Sequence, residues 1–199
     1  MSGIQQSLLF DPGPQMLVED GEGGVFYRPG VIPPPLAARW FEALRDNVGW
    51  KSIRRPMYDR VVDVPRLVAT YRLDAPSLPE PLPAIAAYVR GELGEPFNSV
   101  GLNFYRDGRD SVAPHNDKLH SLVPGHPIAL VSLGSARRMV IRAKAAPRIP
   151  IRIDLEPGSL LVMSYLSQLH YDHGIPKTRG DVAARMSLAF RVRPEEKRP

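Results

Sequence analysis

The sequence predicts a mainly β protein, built as two packed sheets or a small barrel with two helices on one face. Three observations carry that expectation. Gly (16) and Pro (22) interrupt the 199 residues too often for a helical bundle. Near residue 99 the apolar period changes from about 3.6 to about 2. Beyond that point Gly108, Gly125, Gly134, Pro157-Gly158, Gly174 and Gly180 fall between the candidate strands.

Taken in order, residues 1–34 are punctuated by Gly and Pro around short apolar pieces, an arm or short strands lying on the domain. Residues 35–48 read as a helix: Pro35 suits its first turn, Leu36, Trp40, Leu44 and Val48 recur every four residues, and Gly49 stops it. Residues 50–80 carry basic residues and prolines throughout and read as irregular. A second helix runs from about Pro83 to Leu93, with Ile85, Val89 and Leu93 on one face and Gly94 after it. Strands are expected at 99–105, 128–133, 137–143, 150–155, 159–164, 169–173 and 185–193. The length fits one domain over 1–199, with an arm and helix in 1–50, a basic segment in 51–80, and a helix plus strand-rich core in 81–199.

Composition narrows the chemistry. The chain has no cysteine, which removes disulfide frameworks, zinc fingers, thiol nucleophiles and iron–sulfur clusters. No apolar run approaches the ~18–20 residues of a membrane span, and no basic region with an apolar stretch opens the chain. A soluble, cytoplasmic protein is expected, with oligomeric state unread. The net charge is +5, with 6 basic against 3 acidic residues in 51–75 and 13 against 6 in 137–199. Such patches suit a polyanion such as nucleic acid; they equally suit a basic protein whose arginines are solvated.

His115-Asn116-Asp117 is the first chemical signal. Residues i and i+2 of an extended segment point to the same side, so His115 and Asp117 can grip one edge of a metal, and His173 from an adjacent strand would complete a face of two histidines and one carboxylate. That set leaves coordination positions open and suits non-haem Fe(II) oxygenases. His-x-Asp alone also reads as a surface-loop histidine beside an unrelated acid, with His170 and His173 packed in the sheet. The last strand supplies the second signal. Arg185, Ser187, Ala189 and Arg191 share one face, while Met186, Leu188, Phe190 and Val192 share the apolar one. Two arginines six residues apart, roughly 20 Å along a strand, leave a gap between their long arms for a short dicarboxylate. Alternatively Arg185 sits at a strand mouth in water and Arg191 pairs with a surface acid. Strand 99–105 divides the same way, with Asn103 and Tyr105 opposite Val100, Leu102 and Phe104.

These residues together resemble the AlkB family of Fe(II)- and 2-oxoglutarate-dependent dioxygenases over roughly residues 50–193. The resemblance rests on Asn103-Phe104-Tyr105-Arg106-Asp107-Gly108-Arg109-Asp110, on Pro127-Ile128 leading to Val131-Ser132-Leu133-Gly134, and on Glu156-Pro157-Gly158-Ser159-Leu160-Leu161-Val162-Met163. It continues with His173-Gly174-Ile175-Pro176-Lys177 and ends with Arg185-Met186-Ser187-Leu188-Ala189-Phe190-Arg191. The resemblance implies a double-stranded β-helix (jelly-roll) core in which His115, Asp117 and His173 hold Fe(II). It places Asn103 and Arg191 at the C1 end of 2-oxoglutarate and Arg185, Tyr105 and Ser187 at its distal carboxylate. With O2, such an enzyme converts 2-oxoglutarate to succinate and CO2, hydroxylates a carbon attached to nitrogen and releases formaldehyde, which implies alkylated DNA or RNA as partner. Pro65-Arg66 and Ala69-Thr70-Tyr71 look like the start of the family's nucleotide-recognition lid within 51–80, putting Tyr58, Arg66 and Tyr71 at the substrate, with Lys118 and His120 beside the metal motif.

The sequence departs from the family at three places. Leu119 stands where repair members commonly carry an acid, Arg72-Leu73-Asp74-Ala75-Pro76 replaces a further aromatic hairpin, and Asp172 adjoins His173. All three lie outside the oxygenase core. They keep open a protein side chain or small molecule as the substrate, and, as a third reading, a non-enzymatic nucleic-acid-binding jelly roll. A zinc hydrolase has no use for a paired-arginine slot.

Overall fold

The structure, a computed structural model, describes residues 13–57 and 60–195. Its strands are β1 (Gln15–Val18), β2 (Val25–Arg28), β3 (Lys51–Met57), β4 (Arg60–Arg72), β5 (Ser99–Tyr105), β6 (Val112–His115), β7 (Ile128–Gly134), β8 (Arg137–Ala143), β9 (Pro150–Leu155), β10 (Leu160–Met163), β11 (Tyr171–Ile175) and β12 (Arg185–Arg191). The helices are α1 (Pro34–Asn47), α2 (Leu82–Leu93) and the single turn α3 (Ser167–His170). Among the described residues no helix is long and apolar enough to cross a membrane.

An eight-stranded sheet has the order β1-β2-β10-β7-β12-β5-β4-β3, and a four-stranded sheet has the order β6-β11-β8-β9. Every pairing within them is antiparallel. Strand alternation divides the apolar residues into two layers. On one face of the large sheet, Val100, Leu102, Val131, Leu133, Leu188 and Phe190 pack against Trp40 and Leu44 of α1 and Ile85 and Val89 of α2. Edge-to-face stacking of Trp40 on Tyr88, with centroids 5.7 Å apart, joins the two helices. On the other face, Tyr105, Leu130 and Ala189 meet Met139, Ile141 and Ile175 of the small sheet. Each fully buried Leu, Ile or Phe in these layers contributes about 1.5–3 kcal/mol.

Two packed sheets with helices on one face agree with the expectation, but residues 50–80 are not irregular. β3 and β4 form a hairpin that extends the large sheet beyond β5. Two prolines that suggest irregularity are accommodated in different ways: Pro56 is on the edge strand β3, and Pro65 of β4 falls where the pairing with β3 slips between Ser52 and Arg54, outside the register with β5. The strand expected at 169–173 also shifts, because α3 occupies 167–170 and β11 runs from Tyr171 to Ile175.

Candidate active site

The site lies between the two sheets. β6 and β11 place His115 directly opposite His173 in their antiparallel register, with ring centroids 4.6 Å apart. Gly174 permits this approach, since a Cβ there would lie 2.8 Å from the Val112 carbonyl oxygen. The His115 Nδ1 lies 3.0 Å from the Ala113 carbonyl. A carbonyl only accepts, so Nδ1 is the protonated nitrogen of this contact, which leaves Nε2 as the ring nitrogen turned to other partners. His173 is buried, and burial first, then the neighbouring His115, pushes its pKa down to about 3. It is a neutral imidazole, the form that binds metal.

Asp117 follows in the loop after β6. Its carboxylate accepts from Arg191 Nε at 2.6 Å and Nη2 at 3.1 Å. Burial works to raise its pKa, but the charge of Arg191 and its hydrogen bonds hold it below the usual carboxylate value. Gly101 on β5 makes room for this pair, because a Cβ there would meet Arg191 Nη1 at 3.3 Å. The loop backbone is tied from behind. The buried Gln168 accepts from the Asp117 N–H through Oε1 at 3.0 Å, and Lys144 Nζ donates to Asn116 Oδ1 at 3.0 Å and to the Gln168 carbonyl at 2.9 Å. Among the described residues, no three His, Cys, Asp or Glu side chains form a metal-holding group as placed: the imidazoles converge, and the carboxylate is turned to Arg191. As a donor set, two imidazoles and a carboxylate held in its charged form fit a divalent iron with open positions.

Pleat alternation brings Arg185, Ser187 and Arg191 of β12 and Asn103 and Tyr105 of β5 to one small cavity beside His115 and His173. Arg185 is fully buried. Its Nη2 donates to Ser132 Oγ at 2.9 Å, while among the described residues Nε and Nη1 have no hydrogen-bond partner. Burial is the main cause lowering its pKa, yet a guanidinium stays charged. An enclosed cation with two idle donors is costly unless an anion meets it, so this end of the cavity fits a carboxylate of 2-oxoglutarate. The other end differs: Arg191 is committed to Asp117, and Asn103 Oδ1 accepts from Arg66 Nε at 2.6 Å.

A cleft of about 740 Å³ opens next to the cavity, lined by Pro65, Arg66, His115, Asp117, Lys118 and Arg193 among others. Arg66 and His115 line both spaces. The remaining lid and loop residues divide. Tyr71 is not at the cleft; it packs against the helix-side core. The reason is parity: Arg66 and Tyr71 are five residues apart on β4, whose pairing with β5 is regular from Leu67 to Arg72, so the pleat turns them to opposite faces. His120 is exposed on the single 3₁₀ turn Leu119–Ser121, outside the cleft lining. Tyr58 lies outside the described residues. A larger hollow of about 1040 Å³ between loops 107–109 and 177–183 shares no lining residue with the site.

Gln168, Lys144 and Ser132 were not anticipated, because nothing local in the sequence ties them to the metal motif. Arg137 did carry a signal: on β8 it shares the inward face with Met139 and Ile141.

A family model described as the 2OG-Fe(II) oxygenase superfamily matches residues 24–191. The DNA oxidative demethylase ALKBH2 of Homo sapiens is 38% identical over 117 residues, covering 55% of this chain and 45% of that protein. The alpha-ketoglutarate-dependent dioxygenase alkB homolog 3 of Mus musculus is 30% identical over 191 residues, covering 86% of this chain and 67% of that protein. The chain spans less than half the length of the ALKBH2 relatives it matches. Among solved structures, the one described as "The structure of OsALKBH1" is similar in fold, with a TM-score of 0.58, 16% identity, and coverage of 84% of this chain and 97% of that one.

Proposed function

The chain belongs to the AlkB family within the 2OG-Fe(II) oxygenase superfamily, and from that premise we propose that it dealkylates N-alkylated bases of DNA or RNA. The observation that carries the reading is the buried Arg185, with two idle nitrogens facing a cavity that also holds His115 and His173. In this reading His115, Asp117 and His173 hold Fe(II). Arg185, Tyr105 and Ser187 take the distal carboxylate of 2-oxoglutarate, and Asn103 and Arg191 face its C1 end. Bound iron and 2-oxoglutarate supply, with O2, an oxidative decarboxylation to succinate and CO2 coupled to hydroxylation of the N-attached carbon, after which formaldehyde leaves.

The protein's own share is positioning and charge. Arg185 neutralises one carboxylate in an enclosed, low-dielectric place where such a pairing is strong. Arg191 keeps Asp117 ionised and oriented. The buried His173 stays unprotonated and so keeps its ligating lone pair. Gln168 and Lys144 fix the loop that carries the carboxylate. Arg66, Lys118 and Arg193 make the cleft basic, which suits a phosphate backbone. The name of the human relative, a DNA oxidative demethylase, points the same way.

The test is anaerobic addition of Fe(II) and 2-oxoglutarate, which gives the visible charge-transfer band of the chelate. O2 then follows, with oligonucleotides carrying N1-methyladenine or N3-methylcytosine, and formaldehyde is measured. Formation of the band without formaldehyde rejects the nucleic-acid substrate and leaves the oxygenase. One observation favours a second reading, with a protein side chain or small molecule as substrate: Tyr71 faces the core, so it offers the cleft no stacking ring. Turnover of the methylated oligonucleotides rejects that second reading.

A further inference from the structure

Among the described residues, the buried side-chain nitrogens and oxygens without a hydrogen-bond partner are three, and all belong to two arginines: Arg185 Nε, Arg185 Nη1 and Arg137 Nε. Arg137 is 2% exposed and lines neither the cavity nor the cleft. Its Nη1 donates to the Asp107 carbonyl and its Nη2 to the Asp110 and Pro176 carbonyls, each at 2.9 Å. The acids nearby are already taken. Asp110 accepts from Arg106 Nε at 2.8 Å and Nη2 at 2.9 Å, and Asp107 accepts from Arg109 Nη2 at 2.8 Å. Carbonyl dipoles solvate the Arg137 charge but do not cancel it. Its guanidinium carbon stands 5.7 Å from the Tyr105 ring centroid, and that of Arg185 stands 5.2 Å from the same centroid. Two enclosed cations therefore share one aromatic ring, and among the described residues neither is in an ion pair with a carboxylate.

We propose that Arg137 is a positioning residue for the distal end of the cavity, whose uncancelled charge beside Arg185 makes that end select a full carboxylate over a neutral group of the same shape. It rests on the cosubstrate assignment made above and deepens it. Arg185 alone offers donors that an amide oxygen also satisfies. A second buried cation behind it adds a field that rewards net negative charge, at a range where hydrogen-bond geometry no longer matters. The three carbonyls it binds also tie the segment after β5 to the segment after β11, so a role as a staple must be separated from a role as a charge.

Calorimetry separates them, with Mn(II) in place of iron and two ligands: 2-oxoglutarate, and 2-oxoglutaramate, whose distal group is a neutral amide. Wild type prefers the diacid. Arg137→Gln shrinks that preference on the order of tenfold while amide binding holds, and Arg137→Lys, which keeps the charge, retains most of the preference. An unchanged preference in Arg137→Gln overturns the proposal. So does an equal loss in both variants, or failure of both to fold, since either assigns Arg137 to stapling alone. If wild-type protein binds neither ligand, the cosubstrate assignment itself fails, and the role of Arg137 with it.

Discussion

Arg185 and Arg191 stand on one strand, on one face, six residues apart, and have opposite fates. Arg191 is partly exposed and finds a carboxylate within the chain, Asp117. Arg185 is completely enclosed and finds a hydroxyl and two empty directions. An internal ion pair builds and holds a site; an unpaired buried cation is left for something that arrives. The two ends of β12 thus separate what the fold stabilises for itself from what it keeps for a ligand.

Substitution of Arg185 breaks that contrast most sharply. Arg185→Met abolishes measurable 2-oxoglutarate binding in calorimetry. The ligand-free variant unfolds in urea at the same or higher concentration than wild type, because a packed apolar chain replaces a buried charge whose desolvation cost no carboxylate among the described residues offsets. Arg191→Met does the reverse. It strands the Asp117 carboxylate and lowers stability by about 3 kcal/mol, measured by urea unfolding of metal-free protein. If Arg185→Met destabilises as much as Arg191→Met, the two ends do not differ.

Gln168→Leu removes the acceptor behind the Asp117 N–H. Metal affinity, read by competition with a chelator, falls by about tenfold, in line with the loss of other groups that support a ligand.

Asp110 offers a pH probe away from the metal motif. Burial raises its pKa, but the hydrogen bonds from Arg106 outweigh burial and hold it below the ordinary value. A depressed folded value means that its stabilisation is complete above the unfolded pKa of about 3.9 and is lost as pH falls through the lower folded value. In Asp110→Asn, the melting temperature loses that part of its acid dependence. Tyr71→Phe has the smallest effect: oligonucleotide turnover stays unchanged, since the ring packs toward the helices.

Much of the fold was legible from period alone. Strands over 99–105, 137–143 and 150–155 match β5, β8 and β9 at both ends, because each alternates apolar and polar residues over a half-buried surface. β6 was not, since Val112–His115 is four residues with a proline and only one apolar anchor of size. The hairpin of β3 and β4 was hidden by Pro56, which a sheet edge tolerates, and by Pro65, which sits where the register of β4 on β3 slips. The cavity face followed from parity on β5 and β12, and the same parity, applied to β4, would have turned Tyr71 away from Arg66. Gln168 and Lys144 gave no such sign, because they reach the Asp117 loop through space from 51 and 28 residues away along the chain.

The order of residues by itself determined which side chains share a face, because a strand's alternation is a local property of the backbone. It also set the donor types, two imidazoles, a carboxylate and two guanidinium groups, before any packing. Only the tertiary structure decided which charges meet. Asp117 reaches Arg191 and leaves Arg185 alone because the packing of the two sheets and the register of β6 on β11 set those distances. Coulombic pairing depends on separation and burial, neither of which is written in the order of residues.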